Sequence, residues 1–191
     1  VKQLCIAANE NLPQDVLTAL NKSLAKERNP VAKKILNQII ENSRIAKKNK
    51  IPLCQDTGLV EVFADIGSDV AIGGGGLEKA VELGVRNTYR EQGYRLSVVS
   101  DPLERKNTCS NTPAAVDIRR TCGNKVALKL LIKGGGSENS STMNFFTPQT
   151  EWTDIERFIV QTVKQKAAYS CPPVVLSVCV GGSFSSAPIE T

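Results

Sequence analysis

The stretch PLCQDTG places a thiol, an amide and a carboxylate side by side, at Cys54, Gln55 and Asp56. Pro52 stiffens the approach and Gly58 permits an unusual turn, so all three side chains can face one cavity. Cysteine offers a thiolate ligand, glutamine an amide for a polar substrate, and aspartate a base. The plainer interpretations are that Cys54 is a small buried hydrophobe and that Asp56 closes a turn through its own backbone.

A second loop, KGGGSENSS at residues 133–141, has three successive glycines followed by serine. Without side chains in the way, its backbone N–H groups can converge on a carboxylate or a phosphate. The motif is weak by itself, because glycine clusters are often plain turns and the Lys-Ser/Thr ending of a P-loop is missing.

A third loop, YSCPPVV, sets Cys171 directly before two prolines. The prolines favour an extended backbone and a rigidly placed thiol at the start of an apolar run, which suits a ligand. Cys54 and Cys171 are far apart in the chain, however, so no local spacing rule supports a metal site.

The chain contains no histidine, which excludes Ser-His-Asp triads, Cys-His nucleophiles and mixed cysteine–histidine zinc sites within these residues. The 6 cysteines are widely spaced and no secretion signal precedes them. We therefore expect a reducing, cytoplasmic setting rather than a disulfide framework.

The elements that position these loops follow from apolar periodicity. A first amphipathic helix is predicted to open after Pro13, and a second to begin at the Asn29–Pro30 cap and run to about Lys48. Alternation over residues 59–67 predicts a half-buried strand, and helical spacing from Leu77 predicts a helix that Gly93 stops.

The second half of the chain is predicted to begin with a mostly irregular segment. AAVDIRRT and KVALKLLIK, joined at CGN, indicate paired antiparallel strands, and KGGGSENSS follows them as a loop. Residues 151–168 form a predicted last helix, and CPPVVLSVCVGG reads as a strand buried on both sides. The predicted fold class is mixed α/β (α+β), with an N-terminal helical hairpin and helices packed on a mixed or antiparallel sheet.

Composition narrows the function further. The 191 residues are 41% apolar and 23% charged, with no run long enough to span a membrane, which indicates a globular protein of one domain or two small ones. The net charge of +5 comes with only 5% aromatic residues, so we expect a solvated basic face with a mild bias toward anionic substrates and no nucleic-acid partner.

Taken together, these stretches resemble the N-terminal, or alpha, part of the class I iron-sulfur fumarases, whose relatives include the alpha subunits of L-tartrate dehydratases. The resemblance covers the chain from end to end and favours one domain over residues 1–191. It is carried by five stretches in the family's order: ENSRIAKKNKIPLCQDTG, GVRNTYREQGYRLSVVSDPLERKNT, NTPAAVDI, KGGGSEN and CPPVVLSVCVGG.

The resemblance implies a 4Fe-4S cluster held by three cysteines, with one iron left open as a Lewis acid for adding water to fumarate to give L-malate. Cys54 and Cys171 would be two of the ligands. Asp56 would be the acid–base group, and Gln55, Arg95 and the backbone of Gly136 would hold the dicarboxylate. Arginine suits that task because its planar fork binds both carboxylate oxygens.

The sequence departs from the family pattern in two places. The family's third cysteine lies beyond Thr191, so the chain resembles a truncated alpha subunit. The resemblance implies that it would be inactive without a beta subunit or C-terminal domain, and that the active enzyme would be an oligomer. Cys109 stands where the family usually has glycine, which we interpret as an incidental replacement rather than a ligand.

Two alternatives remain open at this point. Within the same class the substrate could be L-tartrate, methylfumarate or another 2-hydroxy acid, although SDPLERKNT and NTPA resemble fumarases more than tartrate dehydratases, which implies fumarate. From another class, the chain could be a non-catalytic anion-binding module that uses KGGGS and surface lysines, with cysteines that merely pack.

Overall fold

A computed structural model describes all 191 residues and divides them into two compact units, 1–141 and 142–191. The first unit contains, in chain order, α1 (Lys2–Glu10), α2 (Gln14–Lys26), α3 (Pro30–Asn49), β1 (Leu59–Gly67), α4 (Gly76–Glu91), β2 (Ala115–Thr121), β3 (Val126–Lys133) and α5 (Gly135–Ser140). The second contains α6 (Trp152–Lys166), a 3-10 turn (Ala167–Tyr169) and α7 (Ala187–Glu190). The predicted mixed α/β class is confirmed.

The sheet of the first unit has three strands in the order β2-β1-β3, with β2 parallel and β3 antiparallel to β1. The predicted antiparallel pairing of AAVDIRRT with KVALKLLIK is therefore wrong, because β1 lies between them. Strand β1 has the strictest apolar alternation, with Val60, Val62, Ala64 and Ile66 all buried. A central position lets it bond on both edges while one face is covered.

The connection from β2 to β3 passes over the end of β1 at Gly67. The Gly67 N–H donates to the Lys125 carbonyl at 2.8 Å, and the Ser68 N–H donates to the Thr121 carbonyl at 2.8 Å. A Cβ atom on Gly67 would lie only 2.1 Å from the carbonyl oxygen of Gly123. Glycine is needed here because the two backbones approach closely.

The core lies between β1 and helices α1 and α4. Cys5 from α1 and Val81, Val85 and Tyr89 from α4 are all fully buried in one cluster with the inward residues of β1. Tyr94 closes the cluster, and its ring meets that of Tyr89 edge to face at 5.5 Å.

The predicted helical hairpin is confirmed as α2 and α3, which pack against each other. Asn29 caps α3 as expected, since its side-chain oxygen accepts from the N–H groups of Val31 and Ala32 at 2.9 and 3.3 Å. Helix α1 was not predicted, and it lacks a side-chain cap that would have marked its start. None of the helices has the length and apolar character that crossing a bilayer requires.

The prediction of a loop at residues 133–141 is also wrong, because these residues contain α5. The Glu138 N–H donates to the Gly134 carbonyl at 3.0 Å, which closes the first turn. Lys133, the last residue of β3, forms an ion pair with Glu138 at 2.9 Å, which ties the first turn of α5 to the end of the strand.

The second unit carries the last predicted helix as α6, but not the predicted buried strand at residues 171–182. That segment is irregular, and Val175, Leu176 and Val180 are more than half exposed. A strand needs a neighbouring backbone to satisfy its N–H and C=O groups, and residues 142–191 contain no strand to provide one. An apolar run alone was therefore insufficient evidence for a strand.

The close approach at Gly67 generates a test of this topology. Gly67→Ala should destabilise the protein by about 1–3 kcal/mol, since the methyl group collides with backbone rather than with a movable side chain. Gly73→Ala is the matched control, because nothing lies within 4 Å of its Cβ position. Urea unfolding of both variants measures the difference, and equal stabilities would contradict the crossing of residues 122–125 over β1.

Candidate functional site

Residues 51–58, called the CQDTG loop below, are held by the helices around them. The Leu53 N–H donates to the carbonyl of Asn9 at the end of α1 at 2.8 Å. The Leu53 carbonyl accepts from the side-chain amide of Asn42 in α3 at 2.8 Å. Both backbone groups of Leu53 are thus satisfied, which fixes the approach to Cys54.

The far end of the CQDTG loop is tied down at Thr57, which is buried. Its hydroxyl donates to the Arg95 carbonyl at 2.7 Å, and its carbonyl accepts from the Tyr89 hydroxyl at 2.5 Å. Burial raises the pKa of Tyr89 to about 12, so the phenol stays protonated and remains a donor at neutral pH.

Gly58 ends the loop with a φ of +60°, in the left-handed region. A Cβ atom there would lie 2.6 Å from the carbonyl oxygen of Lys133, the last residue of β3. The Gly58 carbonyl accepts from the side-chain amide of Asn111 at 3.1 Å. The turn suggested by Gly58 in the sequence therefore has both a conformational and a steric cause.

The Asp56 carboxylate joins three segments of the chain. Oδ1 accepts from the Gly58 N–H and from the Ser97 hydroxyl, both at 3.1 Å. Oδ2 accepts from the Gly135 N–H at 2.9 Å. The turn-closing role suggested for Asp56 is present in the bond to Gly58, but the carboxylate also reaches α5 and the segment after α4.

These contacts determine the charge state of Asp56. Partial burial acts to raise the pKa of the carboxyl group, while the bonds from Gly135 and Gly58 lower it. The Ser97 hydroxyl and the charge of Arg95 lower it further. The hydrogen bonds and the charge outweigh burial, so the pKa of Asp56 lies below its usual value and the group is ionised at neutral pH.

The thiol of Cys54 is half-buried and packed against its own loop. Its sulfur accepts from the Asp56 N–H at 3.4 Å and lies 3.3 Å from the Gln55 side-chain oxygen. The sulfur therefore has a fixed direction, as a ligand requires.

Cys54, Gln55 and Arg95 line one shallow cavity of about 360 Å³, and the last two are exposed. The remaining walls come from α3, the CQDTG loop and the segment after α4: Asn42, Ile51, Pro52, Leu53, Thr57, Gly93 and Tyr94. A thiol, an amide and a guanidinium thus share one opening. The ionised Asp56 follows Gln55 in the loop but does not line the cavity, so only two of the three side chains expected to face it, those of Cys54 and Gln55, do so.

A larger groove of about 560 Å³ runs along α3 between Pro30 and Glu41. All of its lining residues belong to that single helix surface, and they include neither a thiol nor a residue singled out by the sequence. We therefore take the cavity at the CQDTG loop as the candidate site.

Gly136 lies in the first turn of α5, next to the Gly135 amide that binds Asp56. It does not line the cavity, and its carbonyl accepts from the Ser140 hydroxyl at 2.8 Å. Cys171 belongs to the second unit, where it is exposed. The structure thus gathers Cys54, Gln55 and Arg95 directly, and brings α5 to the site through Asp56.

Cys109 is exposed and has a φ of +58°, an unusual value for cysteine. Glycine adopts this conformation without steric cost, so the backbone at this position suits glycine better than cysteine. The Cys109 N–H donates to the Asn107 side chain at 2.7 Å.

Within the first unit, no three cysteine, aspartate or glutamate side chains lie close enough together to hold a metal ion.

Three residues that hold the site were not predicted from the sequence: Tyr89, Ser97 and Asn111. The Gly135 N–H does bind a carboxylate, as the glycine-rich stretch suggested, but that carboxylate is the side chain of Asp56. Tyr89 lies within the predicted helix that starts at Leu77, and nothing local shows that its hydroxyl faces a loop 32 residues away. Asn111 lies just before Pro113 in the segment predicted to be irregular, and nothing local shows that its side chain bonds to Gly58.

Comparison with known proteins identifies the family of this chain. A family model described as fumarate hydratase (Fumerase) matches residues 1–191. A putative L(+)-tartrate dehydratase subunit alpha of Methanocaldococcus jannaschii is 32% identical over 180 residues, which cover 90% of this chain and 62% of that protein.

Two Escherichia coli proteins, one fumarate hydratase and one tartrate dehydratase subunit, are also similar to this chain. The anaerobic class I fumarate hydratase is 32% identical over 161 residues, covering 81% of this chain and 28% of that protein. The L(+)-tartrate dehydratase subunit alpha is 24% identical over 190 residues, covering 93% and 59%. The chain therefore spans less than two thirds of the length of each of these relatives.

The bond from Tyr89 to the CQDTG loop can be tested by Tyr89→Phe. The change leaves the buried Thr57 carbonyl without its partner and should cost about 1–3 kcal/mol of unfolding free energy. Because burial raises the pKa of Tyr89 above the ordinary value of 10.0, this stabilisation is present below pH 10 and is lost as the pH rises towards 12. Tyr169→Phe, at a ring that is 75% exposed, is the control. Urea titrations at pH 7 that give equal losses for the two variants would contradict the bond.

Proposed function

Since this chain belongs to the fumarate hydratase (Fumerase) family, we propose that it is the alpha part of a hydro-lyase that interconverts fumarate and L-malate. The observation that carries the proposal is the cavity in which Cys54, Gln55 and Arg95 meet beside the ionised Asp56. Its volume of about 360 Å³ is ample for a four-carbon dicarboxylate.

Substrate binding falls to the two exposed polar side chains of the cavity. Arg95 binds one carboxylate of the substrate through its planar guanidinium, and Gln55 adds an amide for the second polar group. Thr57 fixes the backbone of Arg95 at 2.7 Å, so the guanidinium starts from an anchored position. In the proposed arrangement, Gly136 contributes a backbone group from the first turn of α5.

Asp56 exchanges a proton with the substrate. An ionised carboxylate offers about four acceptor sites, and three are filled by Gly58, Ser97 and Gly135. Oδ1 takes two of these bonds and Oδ2 takes one, so Oδ2 keeps a free lone pair. We assign the proton to Oδ2, since the other three bonds hold the group still while it accepts and releases that proton.

The residues at the loop also suit an iron-sulfur cofactor. Cys54 presents a thiol of fixed direction at the cavity, and the Asp56 N–H donates to its sulfur, a contact that tunes clusters of this kind. Cys171 is the proposed second ligand, and a third cysteine would come from outside this chain. When bound, a 4Fe-4S cluster with an open iron supplies a Lewis acid for the hydroxyl and carboxylate of malate.

The partner is proposed to be a beta subunit or C-terminal domain, without which the chain is inactive. Relatives named as alpha subunits support a division of the active enzyme between two parts. Such an enzyme would be an oligomer.

L-Tartrate is the second candidate substrate, because the tartrate dehydratase relative from M. jannaschii and the fumarate hydratase from E. coli are both 32% identical to this chain. The anion-binding module is less well supported. The Gly135 N–H that such a module would use already donates to Asp56, and the following residues form α5 rather than an open nest of amides.

Turnover tests the reaction and the role of Asp56 together. Anaerobic co-expression of the complete alpha subunit with its natural partner should give a brown protein that hydrates fumarate, with L-tartrate and methylfumarate as competing substrates. Asp56→Asn should lower kcat by about 10²-fold or more while the colour remains. Asp69→Asn, at an exposed turn, is the control. A colourless complex that is inert on every substrate would favour the binding module.

The ligand assignment has its own test in iron content. Cys54→Ser and Cys171→Ser should each abolish the brown colour and most of the bound iron, because serine oxygen replaces a thiolate ligand poorly at an iron-sulfur site. Cys122→Ser is the control, since Cys122 is exposed in the connection between β2 and β3. Retention of full iron in either of the first two variants would remove that cysteine from the ligand set.

A further inference from the structure

Asn111 is fully buried, and its side chain bridges two backbone segments. Its Oδ1 accepts from the Ser97 N–H at 2.7 Å, and its Nδ2 donates to the Gly58 carbonyl at 3.1 Å. Its φ of +56° lies in the left-handed region, which asparagine tolerates better than most residues. A buried amide with both ends bonded is a rigid spacer between the segments that it joins.

The two segments are the ones that supply Asp56 Oδ1 with hydrogen bonds. Ser97 donates through its hydroxyl and Gly58 through its N–H, each at 3.1 Å. One side chain thus sets the separation between both donors of one carboxylate oxygen, although it does not contact Asp56 itself. With Oδ1 fixed, the carboxylate plane is fixed too, and Oδ2 is aimed at the Gly135 N–H.

We propose that Asn111 is a positioning residue for Asp56, acting through Gly58 and Ser97 to orient Oδ2. The inference rests on the proposed function for its catalytic meaning, because Oδ2 is the atom assigned the proton. Its structural content stands on the hydrogen bonds alone. It predicts that a change at Asn111 is felt at Gly135, which belongs to a different segment and has no hydrogen bond to Asn111.

Asn107 provides a matched comparison in the same segment. Its side chain also bridges a carbonyl and an N–H, those of Leu96 and Cys109, both at 2.7 Å. It is exposed and contacts neither Gly58 nor the Ser97 N–H. If a shift at Gly135 reflected only the loss of a bridging asparagine in this segment, Asn107→Gly would produce it as well.

The experiment follows the Gly135 amide by NMR in the ¹⁵N-labelled full chain. Asn111→Gly removes the side chain while keeping a residue that adopts a φ of +56° without strain. Asp56→Asn sets the scale for a perturbed bond to Gly135. We expect Asn111→Gly to shift the Gly135 resonance by a large part of the Asp56→Asn change and to speed its hydrogen exchange about tenfold or more, with Asn107→Gly close to wild type.

A folded Asn111→Gly chain with a wild-type Gly135 resonance and exchange rate would overturn the proposal. Asn111→Asp is the second variant, since it keeps the acceptor for Ser97 and loses the donor to Gly58, and it should also shift Gly135. If neither variant folds while Asn107→Gly does, Asn111 serves stability and the proposal is equally overturned.

Turnover gives the catalytic arm. In the complete enzyme, Asn111→Gly should lower kcat by about 10- to 100-fold and change KM little, because substrate-binding Gln55 and Arg95 are untouched. Failure of the proposed function would appear separately, as a complex that is inert on every substrate, and full activity in Asp56→Asn would remove the acid–base role of Asp56. In both cases the Gly135 resonance and exchange rate still decide whether Asn111 orients Asp56. An unchanged kcat for Asn111→Gly alongside an inactive Asp56→Asn would show that the orientation is not needed.

Discussion

The bonds to the Asp56 carboxylate are the constraint on which the first unit depends. A half-buried charge is costly unless its oxygens are satisfied, and here the donors come from Gly58, Ser97 and Gly135. Satisfying one side chain therefore requires the start of β1, the segment after α4 and the start of α5 to converge. Leu59, the residue after Gly58, pairs with Lys133 at the ends of β1 and β3, so the sheet edge and the charged group are built together.

The buried polar side chains of this unit are hydrogen-bonded. Asn9, Thr57, Thr88 and Asn111 are buried, and no buried side-chain nitrogen or oxygen lacks a hydrogen-bond partner. Glu10 is buried as well and accepts from the Tyr94 hydroxyl at 2.5 Å. Burial, followed by this bond to Glu10, raises the pKa of Tyr94 above its usual value, so the phenol remains a donor. A network satisfied to this degree is rigid, which is what a site of fixed geometry needs.

Local patterns predicted the elements whose causes are local. Asn29 and Pro30 marked the start of α3, and the alternation in β1 marked its buried face, because capping and alternation act within a few residues. The order of the strands and the irregular structure of residues 171–182 depend on neighbours far along the chain. The predictions of a β2–β3 pair and of a strand at residues 171–182 were therefore wrong. At the site, Cys54, Gln55 and Asp56 were predicted as one group by adjacency. Asn111 and Tyr89 were missed, because their partners lie 53 and 32 residues away.

The position of β1 between β2 and β3 also constrains how the chain folds. Strands β2 and β3 are neighbours in sequence, yet they do not pair with each other as a hairpin. Each pairs instead with residues of β1 that lie more than 50 residues earlier in the chain, as the Asp65–Arg119 contact illustrates. Closing such loops costs entropy before any ladder bond is gained. The sheet should therefore appear late and cooperatively, after α1 and α4 have begun to cover β1. Any alternative in which β2 and β3 pair directly would be a kinetic trap that has to open again before β1 can enter.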